Sequence, residues 1–198
     1  PPVTVRPPLT GDPGPYLLNL KLKLQGILTK PAEEFNKLKM KVSVVSPLGS
    51  KGESSSEAEF VSDEKGIWLG SVKVPPFFAF PGQVFKLFVK GPKHIQKRIC
   101  ANTPSESFPG TYHCENGQIE LVGGINELDF SGIYMLVGDL PQQDGIVNSY
   151  DISLVRNNIG SKDPSILALA DLNLDGIVDT QDYSLVIAAL SVRSDEGE

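Results

Sequence analysis

The chain is poor in the residues and motifs that mark many functional classes. Its 198 residues include only two cysteines, two methionines, two histidines and one tryptophan. The longest apolar runs, such as Phe77-Phe78-Ala79-Phe80, are a few residues long and too short to span a membrane. The sequence has no glycine-rich phosphate loop, no His-Glu-x-x-His motif and no serine elbow. These absences predict a protein that is not an enzyme and has no membrane span.

Charge is distributed unequally along the chain. The net charge is −6, but residues 138–198 carry three Lys or Arg against eleven Asp or Glu, a balance of −8. Residues 1–137 carry 15 Lys or Arg against 13 Asp or Glu, a balance of +2. This step predicts two units with different roles. The acidic unit would repel nucleic acid and attract cations, so no nucleic-acid partner is expected.

The two cysteines lie on either side of a segment rich in Pro, Ser and Gly. A disulfide between Cys100 and Cys114 would close a loop of about 15 residues and stabilise the fold by about 3 kcal/mol. It would also indicate an oxidising compartment. Two free buried thiols are the alternative. A zinc site with His94 and His113 is disfavoured, because a histidine adjacent to Cys114 is poor ligand spacing.

Residues 16–137 show the alternation with a period of two that is typical of strands. Leucines alternate with polar residues at 18–24, and similar alternation recurs at 38–44 and 83–90. Further strands are predicted at 57–62, 67–74, 95–100, 117–122 and 128–137. Seven or eight short strands predict a mainly β fold, an antiparallel immunoglobulin-like β-sandwich, with a partly open barrel as the alternative. The proline-rich residues 1–15 are predicted to form an extended arm or linker.

An internal repeat with an offset of 31 residues is the most specific feature of the chain. The run Asp144-Gly145-Ile146-Val147 in the first copy aligns with Asp175-Gly176-Ile177-Val178 in the second. The second copy has oxygen-bearing side chains at positions 1, 3, 5, 9 and 12 and glycine at position 6, which is the EF-hand calcium spacing. The predicted calcium ligands are Asp171, Asn173, Asp175, the backbone carbonyl of Ile177, Asp179 and Asp182. A helix is expected next, with Tyr183, Val186, Ile187 and Leu190 on one face.

The first copy predicts a second calcium ion in a less regular loop. This loop spans 13 residues from Asp139 to Asp151, whereas the second loop spans 12. Pro141 stands near position 3, so Gln142 or Gln143, or a water molecule, would have to supply that oxygen. The predicted ligands are Asp139, Asp144, the backbone carbonyl of Ile146, Asn148 and Asp151.

Residues 138–191 resemble dockerin type I modules, the paired calcium loops and helices that bind cohesins in cellulosomes. The resemblance implies a small α-helical domain, here assigned to residues 138–198, with two calcium ions and a cohesin-like protein partner. A helix beginning at Asp163-Pro164 would connect its two halves. The resemblance also implies that loop positions 10 and 11 help to choose the partner. Those positions are Ser149 and Tyr150 in the first loop, and Thr180 and Gln181 in the second.

Two features of the β-rich region have more than one interpretation. A basic stretch contains Lys86, Lys90, Lys93, His94, Lys97 and Arg98. It is typical of a solvent-facing hairpin, and the alternatives are contact with the acidic C-terminal unit and binding of a polyanion. The aromatic residues Trp68, Tyr112 and Tyr134 would suit a sugar-binding platform, although isolated aromatics on strands are more often part of a core.

Together these patterns predict an extracellular or cell-surface, non-enzymatic structural module that is stabilised by calcium, such as a self-assembling subunit of a surface fibre. Val137 runs into Gly138 without a linker, which favours rigid fusion of the two units. The alternative is dockerin-mediated docking of a carbohydrate-binding β-sandwich onto a cohesin-type partner. An acid and base pair at Glu57 and Glu59 is a weak third hypothesis, since this spacing is more typical of a solvated strand face.

Overall fold

The computed structural model describes residues 15–45, 53–75 and 84–197. The predicted arm at 1–15 therefore lies outside the described residues, apart from its last position. The strands are β1 (Tyr16–Leu24), β2 (Lys37–Val45), β3 (Glu53–Ser62), β4 (Ile67–Val74), β5 (Val84–Lys90), β6 (Lys97–Ile99), β7 (Ile119–Glu120) and β8 (Ile125–Met135). The helices that follow are α1 (Ser149–Asn157), α2 (Pro164–Ala170) and α3 (Thr180–Ala189).

The strands form one continuous sheet that nearly closes into a barrel. Their order is β6-β5-β2-β3-β4-β1-β8, and β7 pairs with β5 beside this path. The fold is mainly β, as the alternation predicts, but the prediction of antiparallel pairing is wrong for β1 and β8. These two strands are parallel, with Leu17 opposite Ile125, because the chain crosses from β7 to the other end of the path before β8 begins. The immunoglobulin-like sandwich stays a prediction.

The apolar positions of the alternating strands form the main core. Leu18, Leu20, Leu22 and Leu24 of β1 are all essentially inaccessible to solvent, as the period of two predicts. Trp68 on β4 is also fully buried in this core. It cannot contact a sugar from there, so the hypothesis of a sugar platform that includes Trp68 is wrong.

Cys100 and Cys114 are joined by a disulfide, with their Cα atoms 5.7 Å apart. The loop that they enclose is fastened to β6, because Arg98 Nη2 donates to the Cys114 carbonyl at 2.7 Å. The Cys100 N–H donates to the Tyr112 hydroxyl at 3.1 Å. A zinc site with these cysteines is excluded, since both sulfur atoms are in the bridge.

The helices and the β-rich region share a second core. Val147, Val155, Val178 and Val186 pack there, together with Ile95 and Val137 from the β-rich part. Packing across this joint agrees with the lack of a linker between the two units. No helix within 15–45, 53–75 or 84–197 is long and apolar enough to cross a membrane.

The helix boundaries follow local capping. Asp163 is the N-cap of α2, and its side chain accepts the N–H of Ser165 at 2.8 Å with Pro164 in the first turn, as expected. Helix α3 begins at Thr180, which is earlier than predicted, because Asp179 caps it. Of the apolar face predicted for α3, Val186 is buried, whereas Ile187 and Leu190 are exposed; Asp182 and Ala189 are the other buried positions.

Candidate functional site

The second repeat folds into a tight loop between α2 and α3. The carboxylate of Asp171 accepts the N–H groups of Asp175 at 3.3 Å and of Gly176 at 3.0 Å. Gly176 has φ +88°, a left-handed conformation that favours glycine at this reversal. The carboxylate of Asp175 accepts the N–H of Ile177 at 3.1 Å. The acidic side chains thus fold over the backbone of their own loop.

Asp182 closes this loop from its far end. Its Oδ1 accepts the N–H of Leu172 at 2.6 Å and that of Asn173 at 3.2 Å. Its Oδ2 accepts the N–H of Asp179 at 2.8 Å, which completes a capping box at the start of α3. One carboxylate therefore joins the start of the loop to the helix that follows it.

The second loop contains buried negative charge. Asp171 and Asp182 are fully buried, and no ion pair in the described part of the chain involves either carboxylate. Burial raises the pKa of both carboxyl groups, and the nearby charge of Asp175 raises each pKa further. Because buried carboxylates without a counter-ion are costly, a hard divalent cation suits this loop.

The donor groups of the second loop do not surround one common metal position in this structure. Among residues 15–45, 53–75 and 84–197, no three His, Cys, Asp or Glu side chains are gathered closely enough to hold a metal ion. Two of the predicted donors are of other kinds, the amide oxygen of Asn173 and the carbonyl of Ile177. Asn173 already lies beside Asp175, since its Nδ2 donates to Asp175 Oδ2 at 2.9 Å. The donor types and their order fit calcium, whereas the carboxylates have not converged on one point.

The first repeat uses equivalent residues for its helix cap. Asp151 accepts the N–H of Leu140 at 3.0 Å and that of Asn148 at 2.8 Å. The side chain of Asn148 also accepts the N–H of Tyr150 at 2.7 Å, and Asn148 and Asp151 form the capping box of α1. Positions 9 and 12 therefore have the same local role in both repeats.

The first loop differs from the second at its first aspartate. Lys90 Nζ of β5 lies 2.5 Å from Asp139 Oδ2 and also contacts Asp195 Oδ2. Asp144 is exposed, and its Oδ2 accepts a hydrogen bond from the side-chain Nδ2 of Asn148 at 3.2 Å. The spacing of the loop residues does not predict the ion pair with Lys90. In the sequence, this lysine was marked by its place in the basic stretch.

Much of the basic stretch is buried against the acidic unit. Lys93 donates to the backbone carbonyls of Leu167, at 3.3 Å, and Asp171 at the end of α2. Burial lowers the pKa of Lys93 to about 8. Lys97 Nζ lies 3.1 Å from Glu196 Oε1. The interpretation as a solvent-facing surface is therefore wrong for these lysines, and the alternative of contact with the acidic C-terminal unit is correct.

Residues 193–197, here called the C-terminal strap, connect the first loop to the β-rich region. Asp195 donates its N–H to the Gly145 carbonyl at 2.8 Å, and its Oδ1 accepts the N–H of Gln96 at 2.7 Å. Glu196 donates its N–H to the Gln96 carbonyl at 3.1 Å. The strap has no signal in the sequence, because its residues form no periodic pattern.

The four predicted partner-binding residues are accessible. Ser149 and Tyr150 are exposed at the start of α1, and Thr180 and Gln181 are exposed at the start of α3. Thr180 and Gln181 also line a shallow depression whose other wall includes Gly26, from the turn after β1. A protein bound at α3 would therefore lie close to the β-rich region.

Residues 138–191 match the family model of the dockerin type I domain. Comparison of the chain with curated proteins found no match. This part of the chain, with its two loops and the helices that they cap, is thus a dockerin type I domain. Domains of this type bind calcium and dock onto cohesins, and they are not catalytic.

Proposed function

We propose that the chain is a non-enzymatic docking module in which a β-rich domain, residues 16–137, is held rigidly by a dockerin domain, residues 138–198. The observation that carries the proposal is the second loop, in which fully buried Asp171 and Asp182 form no ion pair among the described residues, since the nearby Lys93 donates to backbone carbonyls instead. Calcium would neutralise these charges and stabilise the start of α3.

The proposed calcium ligands of the second loop are Asp171, Asn173, Asp175, the carbonyl of Ile177, Asp179 and Asp182. Calcium binding would increase the helix content and the melting temperature, because the loop carboxylates repel one another without a cation. Circular dichroism in millimolar calcium and in chelator tests this. Identical spectra and identical melting curves in the two conditions would refute calcium-dependent folding.

The partner that we propose is a cohesin-type protein, bound through the exposed starts of α1 and α3. A pull-down with an immobilised cohesin should retain the chain in calcium and release it in chelator. Thr180→Arg with Gln181→Arg tests the α3 site, and Ser149→Arg with Tyr150→Arg tests the α1 site. Lys73→Ala is the control, since Lys73 is exposed on β4 and lies opposite Leu17, at the end of β1 that is far from Gly26. Retention of both double variants at full strength would exclude these surfaces.

An extracellular or cell-surface location is part of the proposal. The disulfide Cys100–Cys114 supports it, since such bridges persist in oxidising compartments. Proteins with dockerin domains are typically secreted, cell-surface or cellulosome components. Fractionation of the producing cells, with detection of the chain in the medium or on the surface, would test the location.

Self-assembly into a fibre is a second candidate, which the edge position of β8 before Gly132 favours, since Glu106 bonds to the backbone of β8 at Gly132 and Tyr134. Strand β8 pairs with β1 on one side, and no other strand of the described residues pairs with its outer edge. Such an edge can accept a strand from another chain. Light scattering in calcium and in chelator tests this, with a variant lacking residues 1–15 as the comparison. Polymers of the intact chain alone would support the arm as donor, and a monomer throughout would exclude self-assembly.

A further inference from the structure

The first loop of the dockerin domain already has a cation beside its first aspartate. Lys90 Nζ contacts the carboxylates of Asp139, at 2.5 Å, and Asp195. The lysine side chain is 14% exposed and that of Asp139 is 1% exposed. A lysine side chain is positively charged at neutral pH, and this one lies between two carboxylates. The ammonium group therefore stays charged within this acidic pair.

Among the described residues, the second loop has no equivalent ion pair. Lys93 is the lysine from the β-rich domain that lies near it, but its Nζ donates to the backbone carbonyls of Leu167 and Asp171. The Asp171 carboxylate accepts backbone N–H groups from its own loop. Lys93 thus supports the end of α2 and leaves the side-chain oxygens of Asp171 available to a metal ion.

The first loop is also short of an oxygen donor. Pro141 has no side-chain oxygen for position 3, and Gln142 is exposed. The amide nitrogen of Gln143 donates to the Gly91 carbonyl of the β-rich domain at 2.9 Å. That glutamine is therefore part of the joint between the two domains. Calcium binds through six to eight oxygens, so the absence of this donor weakens the site.

The ammonium group and a calcium ion compete for the same carboxylate. Like charges a few ångströms apart in a partly buried site repel strongly. Calcium bound to Asp139 would have to displace Lys90, and it would then leave Asp195 without its ion pair. The residues of the first loop therefore fit a lysine better than they fit a divalent ion.

We propose that Lys90 is the resident cation of the first loop, and that the chain binds one calcium ion, in the second loop. This inference rests on the proposed calcium site at Asp171–Asp182 and replaces the expectation of a second ion. It makes the first half of the dockerin domain and its attachment to the β-rich domain independent of calcium. Only the second half then responds to the ion.

Isothermal titration calorimetry of the full chain with calcium, after removal of bound ions with chelator, tests the inference by giving the number of calcium ions bound. One ion should bind to the unchanged protein. Asp139→Asn should still bind one ion, whereas Asp171→Asn should bind none. Two ions in the unchanged protein, with one lost in Asp139→Asn, would overturn the role of Lys90 and leave the second-loop site intact. No binding at all would overturn the calcium site itself and, with it, this inference.

Hydrogen exchange of the unchanged chain gives an answer that does not depend on whether a variant folds. In chelator, the amides of α1 should keep their protection, because Lys90 still neutralises Asp139. The protection factors of the amides of residues 172–176 and of the first turn of α3 should fall at least tenfold. Equal loss of protection in both halves would contradict the inference. The variant Lys90→Met should lower the melting temperature in chelator, because Asp139 and Asp195 lose their cation, and an unchanged melting temperature in chelator would also overturn the inference.

Discussion

The side-chain Oε2 of Glu196 accepts a hydrogen bond from the backbone N–H of Arg98 at 2.6 Å. The other carboxylate oxygen of Glu196 lies 3.1 Å from Nζ of Lys97. Glu196 belongs to the C-terminal strap, and Arg98 belongs to β6 of the β-rich domain. One carboxylate near the end of the chain thus satisfies two donors of the sheet, and both partners lie largely out of contact with solvent.

Glu196→Gln should therefore weaken the joint between the domains. The change removes the charge beside buried Lys97, and we expect a loss of about 1–3 kcal/mol in the free energy of unfolding. Glu64→Gln is a matched control, since Glu64 pairs with Lys30 at 3.0 Å on the surface and its side chain is 85% exposed. That control should cost less than about 1 kcal/mol. Equal losses in urea denaturation would contradict a stabilising role for the strap.

Gly138 lies at the junction of the two domains, and replacing it with a residue that has a Cβ should lower the stability of the fold. It has φ +134°, and a Cβ placed there would lie 3.0 Å from Cβ of Ala189 in α3. Gly160 also has a positive φ, +91°, but a Cβ there meets nothing within 4 Å. Gly160→Ala should cost about 1–2 kcal/mol for the backbone alone. Gly138→Ala should cost about 1–3 kcal/mol more, because α3 must shift.

The comparison of the two alanine variants needs only their melting curves in calcium. If Gly138→Ala were no more destabilising than Gly160→Ala, close packing between the start of the dockerin domain and α3 would not contribute to stability.

His94 should make stability depend on pH below neutrality. Burial, with the like charge of Lys93, lowers the pKa of His94 to about 3. The unfolded chain binds a proton near pH 6.5 that the folded chain excludes until pH 3. This contribution to stability is therefore complete above pH 6.5 and declines as the pH falls, by about 1.4 kcal/mol per pH unit.

Urea denaturation at pH 7, 6 and 5 in saturating calcium measures this effect. Since neither imidazole nitrogen has a hydrogen-bond partner in the part of the chain that the structure describes, His94→Gln removes the titration without breaking any of those bonds. The difference in stability between the two proteins should change with pH. A constant difference across the three pH values would show that His94 is not the titrating group.

The disulfide should contribute to stability without affecting calcium binding. Cys100→Ser with Cys114→Ser removes the bridge, and we expect a loss of about 2–4 kcal/mol in the free energy of unfolding. The bridge lies in the β-rich domain, away from both loops, so the calcium stoichiometry should not change. A changed stoichiometry would show that the enclosed loop supports the dockerin domain more directly than its contacts indicate.

Local patterns predicted most of the secondary structure. A strand was predicted in the region of each of the eight described strands, and alternation marked β1, β2 and β5, because a strand with one face in the core alternates. It did not predict the parallel pairing of β1 with β8, since alternation reports which face is buried and not which strand is the neighbour. The capping residue Asp163 was recognisable for the same local reason, as its side chain bonds to the backbone two residues away.

The loop spacing was informative about the second repeat and less so about the first. Asp171 and Asp182 contact backbone groups of their own loop, so their roles follow from sequence distance. The partner of Asp139 is Lys90, which is 49 positions away. The strap residue Asp195 is still farther from Lys90. Contacts of this kind depend on how two domains pack, which no local spacing encodes.

The parallel pairing of β1 with β8 has a consequence for how the chain folds. Leu17 and Ile125 are neighbours in the sheet but lie 108 positions apart in sequence. The sheet cannot be completed until β8 has been synthesised, and closing so long a loop makes folding slow. The dockerin domain follows β8 at once, so its packing against β5 and β6 comes late. During synthesis, the incomplete sheet would expose its apolar face, and exposed apolar surface of this kind favours aggregation.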